Sequence, residues 1–162
     1  MLVNVTGSNK GVRTLVNRAA WWYAEKLMGT RLMAGLEIDI KLDRNLLKKS
    51  NNEGSAIWED DTRRPKEFTI KLDSTCNIRN ILITLAHEMV HIKQWAKDEM
   101  YEYYNTPKTV RFKGEKFNMH LFRMTSVLMR WLRMLVCILR ASKQLSTLNG
   151  ISLNNWVKYE WS

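Results

Sequence analysis

The sequence predicts an α+β fold: an N-terminal helix, a three-stranded antiparallel sheet, a long helix carrying two histidines, and a basic C-terminal segment. Three observations lead there. Apolar residues recur near helical spacing over residues 12–28. Two short segments, 36–40 and 66–72, alternate between apolar and polar side chains, as half-buried strands do. Residues 78–92 then carry an apolar stripe at three- and four-residue steps.

In chain order, Leu15, Ala19, Trp22 and Leu27 mark the first helix, from about Val12 to Met28, and Gly29 stops it. Three strands follow. Leu36–Ile40 and Lys66–Leu72 alternate, and Ser55–Trp58 follows the turn-rich stretch Lys49–Gly54. Both spacers have turn composition, so an antiparallel meander is the economical arrangement. The second helix is expected from Cys76 or Asn77 to about Met100. Its stripe of Ile78, Ile81, Leu82, Leu85, Met89 and Ile92 would pack on the sheet. Residues from Val110 to Phe117 read as strand or loop. His120 to Leu145 reads as an amphipathic helix with Arg123, Arg130, Arg133 and Arg140 on one side, its charges too frequent for a membrane span. Trp21 and Trp22 are expected in the core, and Asp60-Asp61 in a charged turn.

The 162 residues suffice for one domain with a real core, and 45% hydrophobic with 26% charged residues is the balance of a folded globular chain. Cys76 and Cys137 lack metal-finger or CxxC spacing, which argues against a disulfide framework. The first residues lack the uninterrupted apolar run of a secretory signal, so a cytoplasmic location is expected, with no transmembrane span. The formal charge of +10 is unevenly distributed. Residues 1–102 hold 16 Lys/Arg against 14 Asp/Glu, whereas residues 103–162 hold 10 against 2. The excess favours polyanions, nucleic acid among them, although a solvated basic face accounts for it equally well.

The segment with explicit chemistry is His87-Glu88-Met89-Val90-His91, an HExxH pattern on the second helix. Residues four apart share a helix face, so His87 and His91 can present two imidazole nitrogens to one zinc ion. Glu88 is then placed to act as general base towards water. A catalytic zinc needs a third protein ligand and an open position. Two of the three histidines in the chain lie in this motif, and His120 is the third.

From Ile57 to about Gly114, WEDDTRRPKEFTIKLD, ILITLAHEMVHIKQWAKDEM and VRFKGEKF resemble the SprT-like family of minimal zincin metallopeptidases, especially its small bacteriophage members. The resemblance spans roughly residues 35–117. It implies a zincin domain over residues 1–117, one Zn2+, a polypeptide substrate, and the strand near Ala56 or Ile57 as a substrate-pairing edge. Larger relatives include proteases that digest proteins trapped on DNA. The family's downstream His-Gly-x-x-Phe ligand motif aligns with Lys113-Gly114-Glu115-Lys116-Phe117, and a lysine cannot ligate zinc at neutral pH. His120 is therefore the expected third ligand, with Glu115 and Glu102 behind it. The acid-poor stretch 118–162 is expected to be a basic amphipathic tail, helical or poorly ordered. A tail translated in a frame shifted from that of its relatives would also explain the missing acidic ligand helix.

These readings converge on a zinc metallopeptidase in which His87, His91 and His120 hold the metal and Glu88 activates water. Two alternatives stay open: a nucleic-acid-associated module acting through the basic tail, and a catalytically degenerate zincin remnant. The sequence leaves the oligomeric state open.

Overall fold

The computed structural model describes residues 1–60, 62–103 and 109–118. They form an α+β unit of seven strands and four helices among the described residues. His120, the arginines of the expected C-terminal helix and the whole segment 119–162 lie outside the described residues, as does Asp61.

The chain opens with strand β1 (Leu2–Gly7), which the sequence reading did not anticipate. Helix α1 (Lys10–Leu27) follows, its first turn closed by the Asn9 side chain, which accepts from the Val12 N–H at 3.0 Å. The one-turn helix α2 (Thr30–Met33) leads into β2 (Glu37–Asp43), and the short α3 (Leu46–Ser50) into β3 (Gly54–Trp58). Strand β4 (Glu67–Asp73) precedes the long helix α4 (Ile78–Ala96), capped by Asn77 through the Asn80 N–H. The helix stops at Ala96, short of the expected Met100. Asp98 turns the chain at φ 55°, and Met100 already belongs to β5 (Met100–Glu102).

The expected three-stranded antiparallel meander is replaced by a four-stranded mixed sheet in the order β1-β2-β4-β3. β1, β2 and β4 run parallel, and only β3 runs antiparallel, on the outer side of β4. Alternation specifies which face of a strand is buried but not which strand lies beside it. The sequence pattern was therefore compatible with either order. In the observed register Val3, Ile38 and Phe68 are neighbours across the sheet, as are Val5, Ile40 and Ile70. This face meets α1 and α4, which also pack on each other. Ile38, Ile40, Ile70, Leu85, Met89, Ile92 and Val16 are sealed from water there. Ile78, expected in the buried stripe, is exposed, and so is Trp21, expected in the core.

A second sheet of three strands is formed by β5, β6 (Thr109–Phe112) and β7 (Glu115–Asn118). β5 and β6 pair antiparallel, with Tyr101 opposite Arg111. The two-residue link between β6 and β7, Lys113-Gly114, has positive φ at both positions. That geometry matches the right-handed twist of a hairpin and favours glycine at the second position. Asp98 accepts from Arg63 at 2.8 Å and also from Arg111, fastening the loop before β4 and strand β6 to the end of α4.

Candidate metal and catalytic site

The site is built on α4 and covered by the edge strand β3. Four-residue spacing brings His87 and His91 one above the other, with ring centroids 4.9 Å apart. Their Nε2 atoms lie 3.2 Å from each other. His87 is exposed and His91 half-buried. One turn further on, Trp95 stacks on the His91 ring at 5.5 Å and an interplanar angle of 23°. Trp58, from β3, meets the Trp95 ring edge to face at 4.9 Å, and Phe68 stacks beyond it at 6.3 Å. The aromatic stack limits how the His91 ring can turn and leaves its Nε2 directed towards that of His87.

The spacing of this pair matches two positions of a tetrahedral zinc site. Two nitrogens bonded to one ion at about 2.0–2.1 Å and separated by 3.2 Å subtend about 100° at the metal, close to tetrahedral. His87 and His91 can therefore act as two ligands without rearrangement of α4.

Glu88 stands apart from the histidine pair. Its side chain is buried, at 6% exposure, beneath β3. The register explains why. Ser55 and Ile57 lie opposite Lys71 and Thr69, and the bonds Asp73 N–H to Glu53 O and Glu59 N–H to Glu67 O fix the alternation. The backbone groups of Gly54, Ala56 and Trp58 consequently point away from β4, along the open edge. The Ala56 N–H is donated to the Glu88 carboxylate. Burial pushes the Glu88 carboxyl up to about 7, an effect that the Ala56 hydrogen bond partly offsets.

β3 follows α4 closely along its length. Gly54 passes Thr84, where a Cβ would stand 2.4 Å from the Thr84 methyl group. Ala56 meets Glu88, and Trp58 meets Trp95. A side chain at position 54 would lift the strand from the helix, so glycine sets the approach that buries the carboxylate.

Among the described residues, no third His, Cys, Asp or Glu joins His87 and His91 in a group able to hold a metal. Glu115 lies exposed on β7. Lys113, at the position that aligns with the family's histidine, occupies the hairpin turn and donates its N–H to the Glu99 carbonyl. His120 and the side chain of Glu102 lie outside the described residues. Asp60 is a turn residue, accepting from Thr62 Oγ1 at 3.0 Å and from the N–H groups of Lys66 and Glu67. Sequence reasoning missed two participants. Trp95 was within reach of it, since it lies four residues after His91 on the face that carries both histidines. Ala56 acts through its N–H and left no side-chain signal. No family model, no curated protein and no solved structure matches this chain.

Proposed function

We propose that the protein is a metal-dependent peptidase of the minimal zincin type, with α4 as its catalytic helix and β3 as its substrate-binding edge. The observation that carries this reading is the convergence of His87 and His91 at 3.2 Å, with a buried carboxylate of raised pKa between them in sequence. His87 and His91 would hold the ion, together with His120 as third ligand. A zinc ion held there would supply Lewis acidity, polarising the scissile carbonyl and acidifying water.

The chain's own residues do the rest. The outward carbonyls of Gly54, Ala56 and Trp58 pair with the N–H groups of an extended peptide, adding it as a strand beyond β3. Glu88 takes a proton from the attacking water as its oxygen bonds to the carbonyl carbon. It then returns that proton to the amide nitrogen as the C–N bond breaks, leaving a carboxylic acid and an amine, and the acid's own proton passes to the amine or to solvent. A carboxyl with a pKa of about 7 suits both transfers near neutral pH, because it exists in both protonation states there. Trp95 and Trp58 exclude water from one side of His91 and hold its ring.

The test is zinc content per chain, by elemental analysis of protein purified without added metal, for wild type, His87→Ala, His91→Ala and His120→Ala. About one zinc in wild type, lost in all three variants, is the expected result. Retention in His120→Ala moves the third ligand elsewhere. No zinc in wild type after incubation with the metal overturns the peptidase and leaves a degenerate remnant.

A further inference from the structure

The four-stranded sheet ends in two edges, and they differ. On β1 the Leu2 N–H bonds to the Leu36 carbonyl, so by alternation the backbone groups of Val3, Val5 and Gly7 point outward. Side chains from α1 take two of those outward carbonyls. Asn17 Nδ2 donates to Val3 at 3.2 Å, and Arg13 Nη1 to Gly7 at 3.4 Å. β3, at the other edge, carries neither a charge nor a proline across Gly54-Ser55-Ala56-Ile57-Trp58, although these are the usual guards of an exposed edge. Strand addition is thus hindered at β1 and open at β3.

Ile57 has an unusual place on the open edge. It lies opposite Thr69, on the face turned away from α4, whereas Ala56 and Trp58 share the helix face with Ile70 and Phe68. β2 and β4 present polar side chains on that outer face: Glu37, Asp39 and Lys41, then Glu67, Thr69 and Lys71. Among them Ile57 is 46% exposed, and no strand of this sheet lies beyond it. We propose that Ile57 is a specificity-determining residue, selecting an apolar β-branched or aromatic side chain on a peptide added beyond β3. The proposal rests on the peptidase reading for the identity of that peptide as substrate. Pairing itself needs neither metal nor cleavage. Because the groups of Ala56 and Trp58 point outward, antiparallel addition puts Ile57 at a non-hydrogen-bonded pair, where facing Cα atoms stand about 4.5 Å apart. Apolar partners gain most from such a pair, each covering the other. β3 stays paired with β4 from Gly54 to Trp58, so the register holds, and the neighbouring Ala56 donates to Glu88. The selected residue is therefore next to the one that faces Ala56, with its side chain directed away from the metal.

The experiment uses the full chain and two fluorescein-labelled, lysine-capped peptides of about ten residues. In one, every second residue is valine; in the other, serine; threonine fills the remaining positions of both. Read by anisotropy, the valine peptide should bind wild type about threefold more tightly. The ratio should be the same at about 50 mM and about 300 mM salt, since the contact is apolar. Ile57→Thr keeps a β-branched residue in the strand and should bring the ratio close to one, with a thermal midpoint near that of wild type. Equal affinities in wild type, binding of neither peptide, or an unchanged ratio in Ile57→Thr overturns the proposal. So does a wild-type dimer, seen by light scattering without peptide, that Ile57→Thr converts to monomer, since the residue would then serve a second copy of the chain. Mass spectrometry of the same peptides after incubation with zinc-loaded wild type separates the two readings. Preference without hydrolysis sinks the peptidase and leaves the role of Ile57 standing, and hydrolysis without preference does the reverse.

Discussion

Glu88 and Asp73 are both nearly sealed from water, at 6% and 2% exposure, yet their acidities are displaced in opposite directions. Burial acts on both carboxylates by disfavouring the charged form. At Asp73 it is outweighed by hydrogen bonds from the Thr75 hydroxyl and the N–H groups of Leu47, Thr75 and Asn45, and the carboxyl sits below its ordinary value. At Glu88 the Ala56 N–H is the one donor among the described residues that opposes burial, and the carboxyl rises to about 7. The number of described donors separates a carboxylate that holds loops together from one that burial leaves easily protonated. Asp73 closes the end of β4 against the start of α3, whereas Glu88 lies under an edge strand that leaves it under-solvated.

The largest expected effect tests the Glu88 side of this contrast. Glu88→Gln should lower peptide hydrolysis by about 10²–10⁴-fold, the usual contribution of a general base, measured on zinc-loaded protein. The same substitution should stabilise the zinc-free protein at pH 8. A pKa raised from 4.5 to about 7 corresponds to about 3 kcal/mol of destabilisation of the ionised form, an upper bound on the gain read by denaturant midpoint. Loss of activity without any gain in stability would mean that the carboxylate is not held at a cost.

Asp73→Ala should do the reverse, destabilising by about 2–3 kcal/mol because several donors lose their shared acceptor, with zinc content unchanged. The pH profile sharpens the comparison further. A raised folded-state pKa means that the Glu88 contribution is complete below pH 4.5 and is lost as pH rises through about 7. The lowered pKa of Asp73 means that its contribution is present above pH 3.8 and is lost as pH falls through the folded value. The combined contribution of these two carboxyls to the zinc-free protein should thus fall away on both sides, towards acid through Asp73 and towards alkali through Glu88. Chemical denaturation across pH should show the alkaline decline flattened in Glu88→Gln and the acid decline weakened in Asp73→Ala.

The smallest effect concerns the strand that buries Glu88. Gly54→Ala should cost about 1–3 kcal/mol, since its Cβ would meet the Thr84 methyl at 2.4 Å and Leu72 at 3.1 Å. Thr84→Ser in the same chain should recover part of that loss by removing the methyl group. Titrating Glu88 in Gly54→Ala by carboxyl-labelled NMR should give a pKa nearer 4.5, because a lifted strand admits water.

The strands β2 and β4 and the two long helices were legible because each has a face whose side chains alternate or recur with its own period, and β3 was legible from the turn-rich stretch before it. Their order was not, since β1 and β2 are neighbours only by virtue of the crossover through α1. β1 itself offered just Val3 and Val5 as inward residues, too few for a periodic signal. The histidine pair was legible from its spacing alone. That Glu88 would be buried beneath a backbone N–H could not be read, because it depends on the glycine that lets β3 approach α4. The Lys113-Gly114 turn left only a weak signal, since both positions need positive φ and only the second holds a residue that adopts it freely.

The joint at Asp98 has a mechanical consequence. Arg63 reaches it from the loop before β4, and Arg111 from β6, so one carboxylate clamps two segments 48 positions apart in the chain. Fluctuations of the two segments should therefore be correlated, with amides of β6 exchanging with deuterium at a rate that depends on the loop's state. Anything that immobilises Arg63 would slow exchange in β6 without touching it, and Asp98→Asn would uncouple the two.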